Sequence, residues 1–141
     1  MLRYTLLHPP LLAALARSGH GGRILLADGN YPYSTIRPPQ AEVIHLNLSP
    51  GLVGIDDVLR ALLDATPVEA ATFMQSPDGA AVPAHETYRA LLGPDVAITE
   101  AERFAFYDEV CRPSVATVVA TGDTRICANL LLTIGVRVPE A

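Results

Sequence analysis

The sequence predicts a single α/β domain over residues 1–141, with a central β-sheet flanked by helices. Short apolar runs typical of buried strands alternate along the chain with segments of helical periodicity, and no repeat or linker interrupts them. Half of the residues are hydrophobic and only 18% are charged, so the composition supports one sizeable core and argues against disorder.

The predicted strands are apolar runs closed by turn residues. Residues 23–28 are apolar up to an Asp-Gly-Asn turn, and residues 114–120 form the most strand-like run, which a Thr-Gly-Asp turn closes. The other predicted strands are residues 43–48, 68–74 and 96–98. Residues 31–39 contain three prolines and are predicted to form an irregular loop.

The predicted helices begin near proline or acidic residues, and several end at glycine. The first follows Pro9 and Pro10 and ends at Gly19. The last is predicted over residues 126–134 and ends at Gly135. The remaining predicted helices cover residues 58–65, 83–92 and 100–111.

The ionic composition excludes several kinds of chemistry. All 10 basic residues are arginines, so Schiff-base, pyridoxal and P-loop chemistry, which need a lysine amine, are excluded. The net charge of −5 argues against nucleic-acid binding, and no apolar run is long enough to span a membrane. Cys111 and Cys127 are interpreted as buried hydrophobes of a cytoplasmic protein. His8, His45 and His85 lack metal-ligand spacing and are interpreted as structural or exposed, so no metal site is predicted.

The first candidate functional cluster is His20, in a Gly-His-Gly-Gly turn, together with Asp28. The two residues flank a predicted strand, which would hold them roughly 17–20 Å apart. A shared site therefore requires the chain to fold back or a neighbouring subunit to complete it. The alternative is that His20 only caps backbone groups in the glycine turn.

Two further clusters contain polar side chains. Arg103 and Tyr107 are four residues apart on a predicted helix and share one face. Either the two side chains hold one ligand, or they belong to an ordinary surface helix. The segment 121–129 places a Thr-Gly turn after a buried strand and ends in Asn129, but it lacks the lysine and second glycine of a P-loop.

Together these clusters resemble the RbsD/FucU family of D-ribose pyranases and L-fucose mutarotases. The resemblance rests on the turn around His20 with Asp28, the 31–34 loop, the 103–107 run and the 121–129 segment, and it extends in order from about residue 11 to residue 136. The Arg-Phe-Ala-Phe-Tyr run at 103–107 resembles the fucose branch.

The resemblance implies a cofactor-independent mutarotase that assembles as a ring-type homo-oligomer, often a decamer of two stacked pentamers, with monosaccharide sites at subunit interfaces. It implies that His20 and Asp28 are catalytic. By motif position, the sugar-binding residues would be Glu69, Arg103, Tyr107, Cys127 and Asn129.

Cys127 occupies a position where family members usually have tyrosine. A thiol is shorter than a phenol and a weaker donor, so it cannot make the same bond to a sugar hydroxyl. Either Tyr107 or a loop tyrosine, Tyr31 or Tyr33, takes the role, or the site accepts a different sugar, or activity is reduced. The alternatives to a mutarotase are therefore a non-catalytic sugar-binding or transport-accessory protein and a structural oligomerisation domain.

Overall fold

One six-stranded sheet organises the computed structural model, which describes residues 1–141. The strands are β1 (Arg23–Ala27), β2 (Glu42–His45), β3 (Val68–Met74), β4 (Ala97–Ala101), β5 (Val115–Ala120) and β6 (Leu130–Ile134). Their order across the sheet is β2-β5-β1-β6-β3-β4. The predicted α/β architecture with a central sheet is confirmed.

Five strands share one direction and β6 opposes them. β1 and β2 both run parallel to β5, and β3 runs parallel to β4, whereas β6 pairs antiparallel with β1 and with β3. We call the end where β1 to β5 finish the carboxyl edge, and the opposite end the amino edge. The chain therefore enters β6 at the carboxyl edge and leaves it at the amino edge.

The predicted final helix over residues 126–134 is wrong, because residues 130–134 form β6. Four of its five residues are buried, and Leu131 pairs with Leu25 on one side and with Thr72 on the other. An apolar run this short does not distinguish a buried strand from a helix by periodicity alone. The open position between β1 and β3 decides in favour of the strand, because both neighbours supply backbone hydrogen bonds to it.

Four helices pack on the sheet: α1 (Pro9–Arg17), α2 (Ile55–Ala65), α3 (Pro83–Leu92) and α4 (Arg103–Val110). They match the other predicted helices: α3 covers the predicted residues 83–92, and the other three have shifted ends. α4 begins three residues late because residues 100 and 101 belong to β4. The Glu102 side chain accepts hydrogen bonds from the N–H groups of Phe104 and Ala105 and so caps the first turn.

The core is centred on the middle strands, where Leu25, Leu26 and Leu131 are almost completely buried. Cys127 is buried as predicted, whereas Cys111 is exposed at the end of α4, which contradicts its interpretation as a core residue. Neither cysteine forms a disulfide. None of the four helices has the length and apolar character needed to cross a membrane.

His85 is a structural histidine that packs against two aromatic rings. Its ring lies 4.9 Å from Phe73 and 6.3 Å from Tyr88, and its Nε2 is buried without a hydrogen-bond partner. Burial lowers the pKa of His85; Arg89 lowers it further, while Glu100 opposes both. The neutral ring is therefore the form that the fold accommodates.

We expect His85→Phe to reduce the acid sensitivity of the fold. Because the folded pKa of His85 lies below the unfolded value of about 6.5, its contribution to stability is complete above that pH and is lost as the pH falls through it. Chemical denaturation near neutrality and at about pH 5 should show a smaller loss of unfolding free energy in the variant. His45→Phe, at an exposed position, is the control, and an unchanged pH dependence in His85→Phe would contradict the expectation.

Candidate active site

The carboxyl edge holds a buried pair formed by Asp28, after β1, and Asn129, before β6. The Asp28 N–H donates to Asn129 Oδ1 at 2.8 Å, and the Asn129 amide donates to Asp28 Oδ2 at 2.9 Å. The same amide lies 3.2 Å from the sulfur of Met74. Asn129 is thus fully engaged with neighbours inside the protein, and it fixes both the backbone and the carboxyl group of Asp28.

Burial gives Asp28 an unusual proton affinity. Only 2% of the residue is exposed, and this burial raises the pKa of its carboxyl group. The N–H groups of Asn30, Tyr31 and Ala128 lower the pKa, while the negative charge of Asp123 raises it again. The net direction is upward, so Asp28 retains a proton to higher pH than an exposed aspartate.

Aromatic and cationic side chains lie beside this pair. The Tyr31 and Tyr107 rings meet edge to face at 5.5 Å, and the Tyr31 hydroxyl donates to the carbonyl of Ile36 at 3.0 Å. The Arg103 guanidinium stacks 4.6 Å from the Phe104 ring and is exposed to solvent. Arg103 therefore has donors free for a ligand, whereas Tyr31 is committed to its own loop.

Cys127 lies between these groups. Burial and the charge of Asp28 raise the pKa of its thiol, while Arg103 lowers it. The backbone at Cys127 has φ +60°, a left-handed conformation that L residues rarely adopt. This turn directs the chain from the exposed Ile126 to the buried residues Ala128 and Asn129, and so places Asn129 against Asp28.

A network of charged side chains anchors the loop between β5 and β6. The Arg125 guanidinium donates to both carboxylate oxygens of Asp56 and of Asp123 at 2.7–3.2 Å. Burial alone would raise the pKa of Asp123, but Arg125 and the Ile55 N–H lower it. The loop borders a cleft of about 300 Å³ lined by Gly29, Asn30, Asn47, Ser49, Pro50 and residues 121–124.

Sequence reasoning missed this network. Arg125 and Asp56 are 69 positions apart, so no local motif joins them. A pair of acidic residues at the start of α2 is also the ordinary pattern of a helix N-terminus, and it does not single out Asp56 as a partner.

The amino edge holds the second candidate cluster. His20 Nε2 lies 3.0 Å and 3.1 Å from the two carboxylate oxygens of Glu69, and both side chains are about half exposed. Because β1 separates them, the His20 turn and Asp28 lie about 20 Å apart at the usual rise of a strand. The structure therefore joins His20 to Glu69 but not to Asp28 within one chain.

The predicted site residues thus fall into two groups. Asp28, Arg103, Tyr107, Cys127 and Asn129 lie together at the carboxyl edge, whereas His20 and Glu69 lie at the amino edge. No three His, Cys, Asp or Glu side chains are arranged to hold a metal ion. The side chains of both groups can donate or accept hydrogen bonds.

In α/β proteins with an open sheet, small molecules bind outside the carboxyl ends of the strands. The polar cluster around Asp28 lies at that end of the sheet, which is the arrangement of this class of proteins. A model of the RbsD / FucU transport protein family matches residues 1–137, and the chain belongs to that family. It is 37% identical to a fucose mutarotase of Bos taurus, over 96% of this chain and 92% of that protein.

Other comparisons agree with this assignment. The chain is 33% identical to a D-ribose pyranase of Paracidovorax citrulli, over 96% of this chain and 98% of that protein. Among solved structures, the fucose mutarotase from Streptococcus pneumoniae in complex with L-fucose matches with a TM-score of 0.83 and 30% identity, covering 98% of this chain and all of that one. The family resemblance seen in the sequence is confirmed.

We expect Asn129→Ala to lower the free energy of unfolding by about 1–3 kcal/mol, because it leaves a buried N–H of Asp28 without its acceptor. Urea denaturation measures the loss. Asn47→Ala is the matched control, since the exposed Asn47 amide donates only to the Tyr33 hydroxyl, and its cost should stay within about 0.5 kcal/mol. Equal costs for the two variants would contradict the role assigned to Asn129.

Proposed function

We propose that this protein is a cofactor-independent mutarotase that interconverts the anomers of a monosaccharide, with an L-fucose-like sugar as substrate. Similarity to fucose mutarotases over nearly the full length of the chain is the observation that carries the proposal. The site chemistry supports it, because anomer exchange on a neutral sugar needs only proton transfers and hydrogen bonds. Two unpaired cysteines are consistent with a cytoplasmic location.

We propose further that each site is shared between subunits of a ring-type homo-oligomer, a decamer or a smaller ring. A neighbouring subunit whose amino edge faces the carboxyl edge of this chain would bring its own His20 close to Asp28. Within one chain these two residues are far apart. The exposed apolar residues Phe104 and Ile126, 61% and 75% exposed, flank the carboxyl-edge cluster and support an interface there.

The reaction begins with opening of the cyclic hemiacetal. His20 takes the proton from the anomeric O1–H, the electron pair on O1 forms the C1 carbonyl, and the bond from C1 to the ring oxygen breaks. The imidazolium returns the proton to the ring oxygen, so one group serves as base and then acid. Rotation about C1–C2 and the reverse steps close the other anomer. Histidine is the residue type whose side chain most readily both accepts and releases protons in the physiological pH range, so it suits both roles.

The carboxyl-edge residues are assigned to holding the sugar. Asp28 orients the sugar or the imidazole, and its two oxygens are held by the Asn30 N–H and the Asn129 amide. Asn129 therefore acts on the sugar through Asp28, in place of the direct contact expected from its motif. Arg103 contributes exposed donors, and the half-buried Tyr107 contributes its phenol.

Because Cys127 stands where family members usually have a tyrosine, another side chain must supply the hydroxyl group that would contact the sugar. Tyr31 is 4% exposed and its hydroxyl is bonded to Ile36, whereas Tyr107 is only partly buried. We assign the donor role to Tyr107. The second candidate function, sugar binding without catalysis, rests on the thiol at position 127. Binding of L-fucose, D-ribose, D-galactose and L-rhamnose without faster anomer exchange for any of them would favour it.

We expect His20→Ala to slow anomer exchange by about 10²- to 10⁴-fold, the usual contribution of one positioned acid–base group. Saturation-difference NMR of L-fucose anomers measures the exchange rate. The exposed His45 offers a control of the same residue type, and His45→Ala should keep the wild-type rate. A folded His20→Ala protein with unchanged exchange would remove His20 from the mechanism.

Shared sites predict that two inactive variants rescue each other. In co-assembled His20→Ala and Asp28→Asn chains, roughly a quarter of the interfaces join an intact His20 to an intact Asp28, provided subunits mix at random. Exchange activity should recover to roughly that fraction of wild type. Each variant alone is the control, and mixed oligomers with no more activity than their parents would contradict a site that joins His20 of one subunit to Asp28 of another.

A further inference from the structure

The hydroxyl group of Tyr88, on α3, holds the backbone that leads into the pair of Asp28 and Asn129. Its O–H donates to the Ala128 carbonyl at 2.7 Å, the usual length of an O–H···O hydrogen bond, and Tyr88 is 0% exposed. Ala128 lies just before β6, and no backbone N–H donates to its carbonyl. Tyr88 is therefore the donor that fixes the peptide group between Ala128 and Asn129.

Contact between α3 and β3 places the phenol ring. Tyr88 belongs to the buried side of α3, and its ring meets the Phe73 ring of β3 edge to face at 5.7 Å. The Arg125 guanidinium lies 5.9 Å from the centre of the same ring. Burial raises the pKa of Tyr88, so its hydroxyl remains protonated and able to donate at physiological pH.

The turn over residues 125–128 is anchored at both ends. Two carboxylates hold Arg125 at its start, and Tyr88 holds the Ala128 carbonyl at its end. Between these anchors, Cys127 has φ +60°, a conformation that costs an L residue free energy and persists only where the surrounding structure holds it. Removal of the Tyr88 hydroxyl would release one of the two anchors.

The peptide group that Tyr88 holds comes directly before the side chain that contacts Asp28. The Asn129 amide donates to Asp28 Oδ2 at 2.9 Å and accepts from the Asp28 N–H at 2.8 Å. Burial raises the pKa of Asp28, and the Ala128 N–H is one of the groups that lower it. Both donors toward the Asp28 carboxylate therefore belong to the two residues that the Tyr88 hydrogen bond fixes.

We propose that Tyr88 is a positioning residue of the candidate active site, which acts on Asp28 through the peptide group between Ala128 and Asn129. This inference rests on the proposed mutarotase function, in which Asp28 orients the sugar or the imidazole. Tyr88 is completely buried, so it does not contact the sugar. Its hydroxyl keeps two donors against the Asp28 carboxylate, which then holds one direction while the hemiacetal opens and closes.

The first test measures the proton affinity of Asp28 in Tyr88→Phe. The variant keeps the aromatic ring and removes only the hydroxyl, so the peptide before Asn129 is free to turn. Hydrogen bonds to a carboxylate favour its charged form, so their weakening should raise the pKa of Asp28 above its wild-type value. Titration of the ¹³C carboxyl signals measures the change, and Asp28→Asn assigns the signal. An unchanged or lower pKa would overturn the proposal.

The second test measures the reaction. Tyr88→Phe should lower kcat for anomer exchange of L-fucose by about 10- to 10²-fold, because a displacement of about 1 Å in a positioned group costs up to that order of rate. Saturation-difference NMR over a range of sugar concentrations gives kcat. A folded variant with the wild-type kcat would contradict the positioning role. A variant that does not fold would make the hydroxyl a requirement of the fold and would also overturn it.

Leu62→Val is the matched control for a general loss of stability. Leu62 is 0% exposed on α2, one turn before this helix ends and the chain enters β3 at the amino edge, so it lies far from Asp28. Truncation of this side chain should lower the free energy of unfolding while the pKa of Asp28 and kcat keep their wild-type values. If Leu62→Val changes both as much as Tyr88→Phe does, lost stability explains the effects and Tyr88 has no positioning role.

Failure of the proposed function has a different signature. If the wild-type protein accelerates exchange for no sugar of the panel, the mutarotase function fails, while the carboxyl titration still decides whether Tyr88 acts on Asp28. If the wild-type protein is active and Tyr88→Phe leaves the pKa of Asp28 or kcat unchanged, only the role of Tyr88 fails.

Discussion

Insertion of β6 between β1 and β3 is the constraint on which both halves of the candidate site depend. This strand opposes its neighbours, so its two ends lie at opposite edges of the sheet. Its entry places Asn129 against Asp28, and its exit at Ile134 holds the turn that carries His20. Pairing with β3 brings Glu69 to that same exit. One antiparallel strand thus positions a buried carboxyl group at one edge and a histidine at the other.

In the proposed mechanism, the length of β1 requires that two copies of the chain share each site. Two groups separated by about 20 Å cannot act on one monosaccharide, which is much smaller than that distance. The simplest arrangement that joins them is a repeated contact between the amino edge of one copy and the carboxyl edge of the next. A head-to-tail contact of this kind closes into a ring when the rotation between copies allows it.

The two polar pairs differ in what they contribute. The pair of Asp28 and Asn129 is buried and fully hydrogen-bonded, so its loss affects stability as well as the site. The pair of His20 and Glu69 is half exposed and contributes little to folding. The hydrogen-bonded carboxyl group of Asp28 thus lies inside the fold, whereas His20, the proposed acid–base group, lies on the surface.

The sequence by itself determined the alternation of strands and helices, the family, and the residues assigned to the site, because local periodicity, turn residues and ordered motifs are written in neighbouring positions. It did not determine that residues 130–134 form a strand, since a short apolar run suits either element until its neighbours are known. It also did not reveal the contact of His20 with Glu69 or of Arg125 with Asp56, which are 49 and 69 positions apart. Those contacts exist only once the sheet order brings distant segments together, so the tertiary structure alone decided them.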